Sequence, residues 1–196
     1  MGPVTLTAGD GELLPETYHF SYGDSRDELV RRMQTAMRDA VNELWARRSS
    51  NLPFDTAKKA VILASIIEKE TGRADERARV AGVFINRLRT GMRLQSDPTV
   101  VYAVTGGRTV LERPLMQKDL ETVSAFNTYL NSGLPPSPIA NPGRASLEAV
   151  ANPSRTRDLF FVADGNGGHA FARTLTEHNQ NVARWRALMK SRPTAD

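Results

Sequence analysis

One stretch constrains this chain more than any other: Ala60-Val61-Ile62-Leu63-Ala64-Ser65-Ile66-Ile67, an apolar run that passes directly into Glu68-Lys69-Glu70-Thr71-Gly72. At helical spacing Leu63, Ile66 and Ile67 form one stripe, and Glu70 falls seven residues after Leu63 on the same face. Glu68 instead follows Val61, Ala64 and Ser65 on a neighbouring face. Such a helix has to be covered by other elements. A carboxyl at the end of a covered stripe loses hydration, which disfavours its charged form and raises its pKa. A carboxyl protonated near neutral pH is what general-acid cleavage of a glycosidic bond needs. The plain alternative is that both glutamates only solubilise a helix end.

The 196 residues suffice for one substantial core, and 24% charged with 40% hydrophobic residues is an ordinary globular composition. A net charge of +4 and a pI near 9.7 suit an anionic partner. That class includes nucleic acid, a membrane surface, or an acidic polymer such as cell-wall glycan with its peptide carboxylates. The basic runs Arg31-Arg32 and Arg47-Arg48 are short and not interleaved with aromatics, so nucleic acid is not expected. The absence of cysteine excludes a disulfide framework and a thiolate metal site. The apolar run 60–67 is far short of the ~20 residues that span a bilayer. Met1-Gly2-Pro3 lacks the basic and apolar regions of a signal sequence.

Residues 1–12 read as loop. Ser25-Arg26-Asp27-Glu28 is a capping box, and Leu29, Met33, Met37, Val41 and Leu44 carry an amphipathic helix to about Arg47. A second helix starts near Asp55 or Thr56 and closes at Gly72 as a C′ glycine. A third covers about 75–89 and stops at Thr90-Gly91. Asp97-Pro98 reads as a turn followed by a short β-branched run, and 118–130 as a short helix or helix-like turn. Residues 133–143 hold four prolines and two glycines and form a stiff loop. Residues 145–151 look helical. Leu159-Phe160-Phe161-Val162 is a buried strand, 169–173 its returning partner, and a last helix from Thr176 carries Val182, Trp185 and Leu188. The expected fold is α+β: one helix-rich domain over 1–196 with a small β-hairpin.

His19, His169 and His178 are too dispersed for a metal site, and no HExxH is present. No GxSxG elbow exists, and Gly165-Asn166-Gly167-Gly168 reads as a hairpin turn more readily than as a phosphate cradle. What remains is carboxylate chemistry: Glu68 and Glu70, with Asn86, Gln95, Asp97 and Tyr102 downstream. Each has a plain reading too. Asn86 can bridge backbone, Gln95 and Ser96 can hold a turn, and Asp97 can pair with an arginine. Phe171 and Trp185 read as core residues and His169 as structural.

The motifs Glu68-Lys69-Glu70-Thr71, Val83-Phe84-Ile85-Asn86-Arg87-Leu88 and the run from Gly91 through Gln95-Ser96-Asp97-Pro98 to Tyr102 come in a telling order. They continue with Phe126-Asn127-Thr128-Tyr129, Gly133-Leu134-Pro135-Pro136, Asn141-Pro142-Gly143 and Gly167-Gly168-His169-Ala170-Phe171. Together they closely resemble the endolytic murein transglycosylase (YceG-like) family over about 13–186. Two departures occur: Ser137 where the family usually has glycine, and Phe126 where tyrosine is commoner.

The resemblance implies an enzyme that cuts peptidoglycan glycan strands internally and without water, leaving 1,6-anhydro-N-acetylmuramic acid ends. One glutamate would act as acid and then base. Glu70 is the first candidate, since Glu70-Thr71 is similar to the Glu-Ser pair of other lytic transglycosylases, and Glu68 is the second. Gln95, Asp97, Tyr102, Asn127, Tyr129 and Asn86 are the expected sugar-binding residues. No cofactor and no metal are implied; the partners implied are glycan strands and peptidoglycan synthases. The chain would be the catalytic part of a protein held in the inner membrane by a preceding helix, with a LysM-like part also before it, and facing the periplasm. Competing readings are a hydrolytic muramidase with Asp97 as second carboxylate, and a non-catalytic glycan-binding scaffold. A pyridoxal-phosphate lyase is disfavoured, because no lysine stands in a recognisable Schiff-base setting.

Overall fold

The computed structural model describes residues 4–191, so the reading of Met1-Gly2-Pro3 lies outside the described residues. Helix α1, Arg26–Ala46, starts at the expected capping box. The Ser25 hydroxyl accepts the Glu28 N–H at 3.2 Å, and the Glu28 carboxylate accepts the Ser25 N–H at 2.7 Å. Helix α2, Ala57–Glu70, is capped by the Thr56 side chain. Helix α3 spans Ala74–Arg89, α4 Asp97–Thr105 and α5 Arg144–Ala151. Strands β1, Phe160–Ala163, and β2, His169–Ala172, pair antiparallel with Phe161 opposite Phe171. Helix α6, Leu175–Ser191, packs over this hairpin. The α+β architecture is therefore present.

The short α5 is the hub, touching α1, α2 and α3. Around it Leu63, Ile66, Ile67, Val80 and Val150 have no exposed surface, and Leu44, Phe84 and Ile85 almost none. Burial of each such side chain contributes about 1.5–3 kcal/mol, so α2 is fixed in rotation by its stripe. That rotation sets where Glu68 and Glu70 point.

Five local expectations are corrected. Residues 97–105 are helix α4, not a turn and a β-branched run. Pro98 is tolerated in the first turn because the N–H it lacks would have no helical partner there, and Val100 packs fully into the core. Residues 118–130 contain only the 3-10 helix Gln117–Glu121. Beyond it Asn127 and Asn131 bond the carbonyls of Leu120, Thr122 and Ser124, which competes with helical bonding. Helix α2 ends at Thr71 in an extended conformation, and Gly72 is not left-handed. Strand β1 is half-buried, and Trp185 sits with Leu188 at a shallow surface groove instead of in the core. Phe171 does pack against the core, and His169 is held structurally by the Glu76 carboxylate, with Nδ1 at 2.8 Å.

Candidate active site

Glu70 closes the last turn of α2 with the buried stripe behind it. Its residue keeps some contact with solvent, but its carboxyl is densely surrounded, and loss of hydration pushes its pKa from 4.5 to about 7. The Ser96 hydroxyl, donating to Oε1 at 2.5 Å, works against that rise, the charge of Asp97 adds to it, and the guanidinium of Arg87 opposes it. Burial outweighs the donors, so at neutral pH a large share of Glu70 carries its proton.

Ser96 is placed by a tightly bonded wall. Its own N–H donates to Thr128 Oγ1 at 3.0 Å, and the Gln95 N–H donates to the Thr128 carbonyl at 3.2 Å. Thr99 Oγ1 donates to the Ser96 carbonyl at 2.6 Å and lies 2.8 Å from Thr128 Oγ1. Arg87, only 7% exposed, reaches the Leu94 carbonyl with Nη1 and the Leu159 carbonyl with Nε, each at 2.6 Å. Between these anchors Gln95 adopts a φ of 49°, the one left-handed non-glycine residue among those described. Such a conformation is sparsely populated by residues with a Cβ, and persists where neighbours over-determine it.

Asp97 and Tyr129 form the next part of the wall. The Tyr129 hydroxyl donates to Asp97 Oδ1 at 2.5 Å. Burial, reinforced by the Asp97 carboxylate, raises the Tyr129 pKa further above its ordinary value, so the phenol stays a donor. Asp97 opens onto a groove of 480 Å³ whose lining includes Lys69, Val101, Tyr102, Leu111 and Ile139. Tyr102 lies 4.7 Å from the Phe126 ring and donates its hydroxyl to Asp10 at 2.8 Å.

The structure thus brings Glu70, Gln95, Asp97, Tyr129 and Tyr102 to one region through Ser96 and the groove. It does not place Asn127 or Asn86 on that surface. Asn127 is fully buried; its amide donates to the Leu120 and Thr122 carbonyls and accepts the Tyr129 N–H at 2.9 Å, so it shapes the turn beneath Tyr129. Asn86 donates to the Thr156 and Asp158 carbonyls and lines a different cleft. Asn86 follows its plain expectation of backbone bridging, and Asn127 is drawn to backbone groups in place of the expected sugar contact. Glu68 accepts the Gly143 N–H at 3.0 Å and the Ser146 hydroxyl at 2.5 Å, which ties α2 to the start of α5. Two residues were given no part in the site at the sequence level: Ser96, read only as holding a turn, and Arg87. Both lie inside the motifs, but their meeting with Glu70 spans 26 residues in the case of Ser96, beyond any local periodicity. Among the described residues no cluster of His, Asp and Glu could hold a metal, and no helix is long and apolar enough to cross a membrane.

A helix-rich α+β domain whose last buried helical turn offers one desolvated glutamate to a polar wall has the geometry that a single-carboxyl acid–base site needs. The family match narrows this further: the sequence model of the YceG-like family covers residues 4–184, and the chain belongs to that family. It is 38% identical over 172 residues to the endolytic murein transglycosylase of Bacillus subtilis, covering 87% of this chain and 46% of that protein. It is 32% identical over 177 residues to the protein of the same name from Streptococcus pneumoniae, covering 89% and 32%. The chain therefore spans about half the length, or less, of these relatives. A crystal structure of a yceG-like protein from Listeria monocytogenes superposes with a TM-score of 0.71 at 37% identity, covering 87% of this chain and 54% of that one.

Proposed function

We propose that this domain is a lytic transglycosylase that cuts the bond between N-acetylmuramic acid and N-acetylglucosamine inside peptidoglycan strands. The observation that carries the reading is the Glu70 carboxyl, held protonated up to about pH 7 by burial and 2.5 Å from the Ser96 hydroxyl. Protonated Glu70 gives its proton to the glycosidic oxygen as the C1–O bond breaks. The muramyl C6 oxygen then attacks C1, and the ionised Glu70 takes the proton from that hydroxyl. Atoms balance without water, and Glu70 returns to its starting state. Ser96 orients the carboxyl and stabilises its transient charge. Gln95, Asp97, Tyr129 and Tyr102 would contact the sugars, and Arg87 would supply a fixed positive charge near the carboxylate that forms. The names of the relatives support this substrate class. With murein as substrate, the domain works on the outer side of the bacterial inner membrane.

Asp97 gives one specific reason to weigh hydrolysis, since a second carboxylate near the acid could activate water. Its short bond from Tyr129 favours a positioning role instead. Digestion of purified glycan strands decides the matter by product mass. Anhydro-muramyl ends, with mid-sized oligomers early, support the proposal; reducing muramyl ends overturn it in favour of a muramidase. A protein that binds strands but never cuts them would be a scaffold.

A further inference from the structure

A second cleft, of 800 Å³, shares no lining residue with the groove beside Asp97. It is built from the turn after α1, the second half of α3 and the segment 153–157. Four arginines line it, Arg89, Arg155, Arg157 and Arg173, and no carboxylate does. Arg155 and Arg157 are exposed and have no hydrogen bond or ion pair among the described residues. The nearest acid on this segment, Asp158, is turned away: it is 4% exposed and accepts Arg79 Nε at 2.8 Å and Thr156 Oγ1 at 2.6 Å.

The backbone that carries these arginines is pinned to α3. The Ser154 N–H donates to the Ala78 carbonyl at 2.9 Å, and the Asn86 amide donates to the Thr156 and Asp158 carbonyls at 2.9 and 3.0 Å. Gly82 lets the segment lie this close, since a Cβ there would stand 2.7 Å from the Ser154 carbonyl oxygen. Thr156 and Asp158 face α3, so Arg155 and Arg157 share the outward side.

Helix carboxyl ends also come to this cleft, from α1, α3 and α5, and arginines could serve only to offset their dipoles. Each end is equivalent to about half a negative charge, so four full positive charges leave a clear excess. No aromatic ring lines the cleft, which argues against a sugar-stacking platform, while Ser49, Asn51 and Ser154 add polar groups suited to a carboxylate.

We propose that this cleft is a second binding site for the same substrate, taking the carboxylates of the peptides carried on the glycan strand. The assignment rests on the reading of the domain as a murein-cutting enzyme. Guanidinium forks match carboxylates in geometry and charge. Peptides long enough to reach from the strand beside Glu70 to the cleft would meet it at high effective concentration.

The test compares the full chain with Arg155→Gln/Arg157→Gln on strands from one preparation, either carrying their peptides or stripped of them by an amidase. Two exposed charge pairs are worth about five-fold together. The double variant should raise KM about five-fold on peptide-bearing strands, leave kcat unchanged, and leave stripped strands unaffected. High salt should abolish the difference. The pair Arg31→Gln/Arg38→Gln on α1 removes the same charge elsewhere and should have little effect.

An equal rise on stripped strands, an equal effect of the α1 pair, or no change at all would each overturn the proposal. Calorimetric binding of soluble peptide-bearing strand fragments keeps the two readings apart. If the wild-type chain cuts neither strand, the enzymatic reading fails, yet unchanged binding by the double variant would still refute the cleft. Binding to phosphatidylglycerol vesicles that is lost in the double variant, with strands unaffected, would refute it in favour of a membrane surface.

Discussion

Glu68 and Glu70 leave the same helix two residues apart and meet different neighbours. Toward α5, Glu68 finds the Gly143 N–H and the Ser146 hydroxyl, two donors that satisfy a carboxylate. Toward the 94–98 wall, Glu70 finds one hydroxyl donor, a nearby acid in Asp97, and enough protein to strip its water. The first arrangement holds an α5–α2 joint together. The second leaves a carboxyl that prefers to keep its proton, which stabilises nothing by itself and suits proton transfer. The difference shows how one helical turn can hold a well-satisfied carboxylate and a desolvated one, depending on the donors each one meets.

The sharpest break of this comparison is exchange of the two residues' roles. Glu70→Gln should lower strand cleavage by about 10²–10⁴-fold, because Gln cannot donate or accept the proton. Glu68→Gln should leave cleavage within a few-fold. Cleavage assays in which Glu70→Gln stays active and Glu68→Gln dies would reverse the assignment.

Stability against pH offers the next test. The folded pKa of Glu70 is raised, so the folded state holds this proton more tightly than the unfolded chain. Below about pH 4.5 both states are protonated and there is no penalty. As pH rises toward 7 the unfolded chain releases its proton first, and stability falls, by on the order of 3 kcal/mol in total from this group. Denaturant melts at pH 5 and 8 should show that loss in the wild type and much less of it in Glu70→Gln. The same titration should lower activity as pH rises through about 7. A wild-type pH–rate profile that is level from pH 5 to 9 would contradict a protonated starting state.

Removal of the other carboxylate should act on the fold alone. Glu68→Ala leaves the Gly143 N–H and the Ser146 hydroxyl without their acceptor, a loss of about 1.5–3 kcal/mol by denaturant titration. A variant as stable as the wild type would make Glu68 dispensable to the α2–α5 joint.

The smallest effect is expected at Ser96. Its hydrogen bond lowers the Glu70 pKa, so Ser96→Ala should move the alkaline limb of the rate profile to higher pH and reduce kcat modestly. A shift to lower pH would mean that the hydroxyl acts on Glu70 in the opposite sense.

The sequence by itself determined the helical frame and the direction of the key carboxyl. The capping box at Ser25 and Glu28, the cap at Thr56 and the stripe of Leu63, Ile66 and Ile67 are local signals, spaced within one or two turns. The placement of Glu70 at the end of that stripe follows from helical geometry, as does the expectation of a raised pKa. Where local signals compete, the sequence was ambiguous. Asp97-Pro98 fits a turn and a first helical turn equally well, and burial of Thr99 and Val100 decides for α4. What surrounds each carboxylate was decided only by tertiary structure. Ser96 reaches Glu70 across 26 residues, Ser146 reaches Glu68 across 78, and Asn127 turns inward because the carbonyls of Leu120 and Thr122 come within reach of its amide. Hydration is lost to whichever segments pack nearby, and that packing is a property of the whole chain, not of the residues on either side of a glutamate.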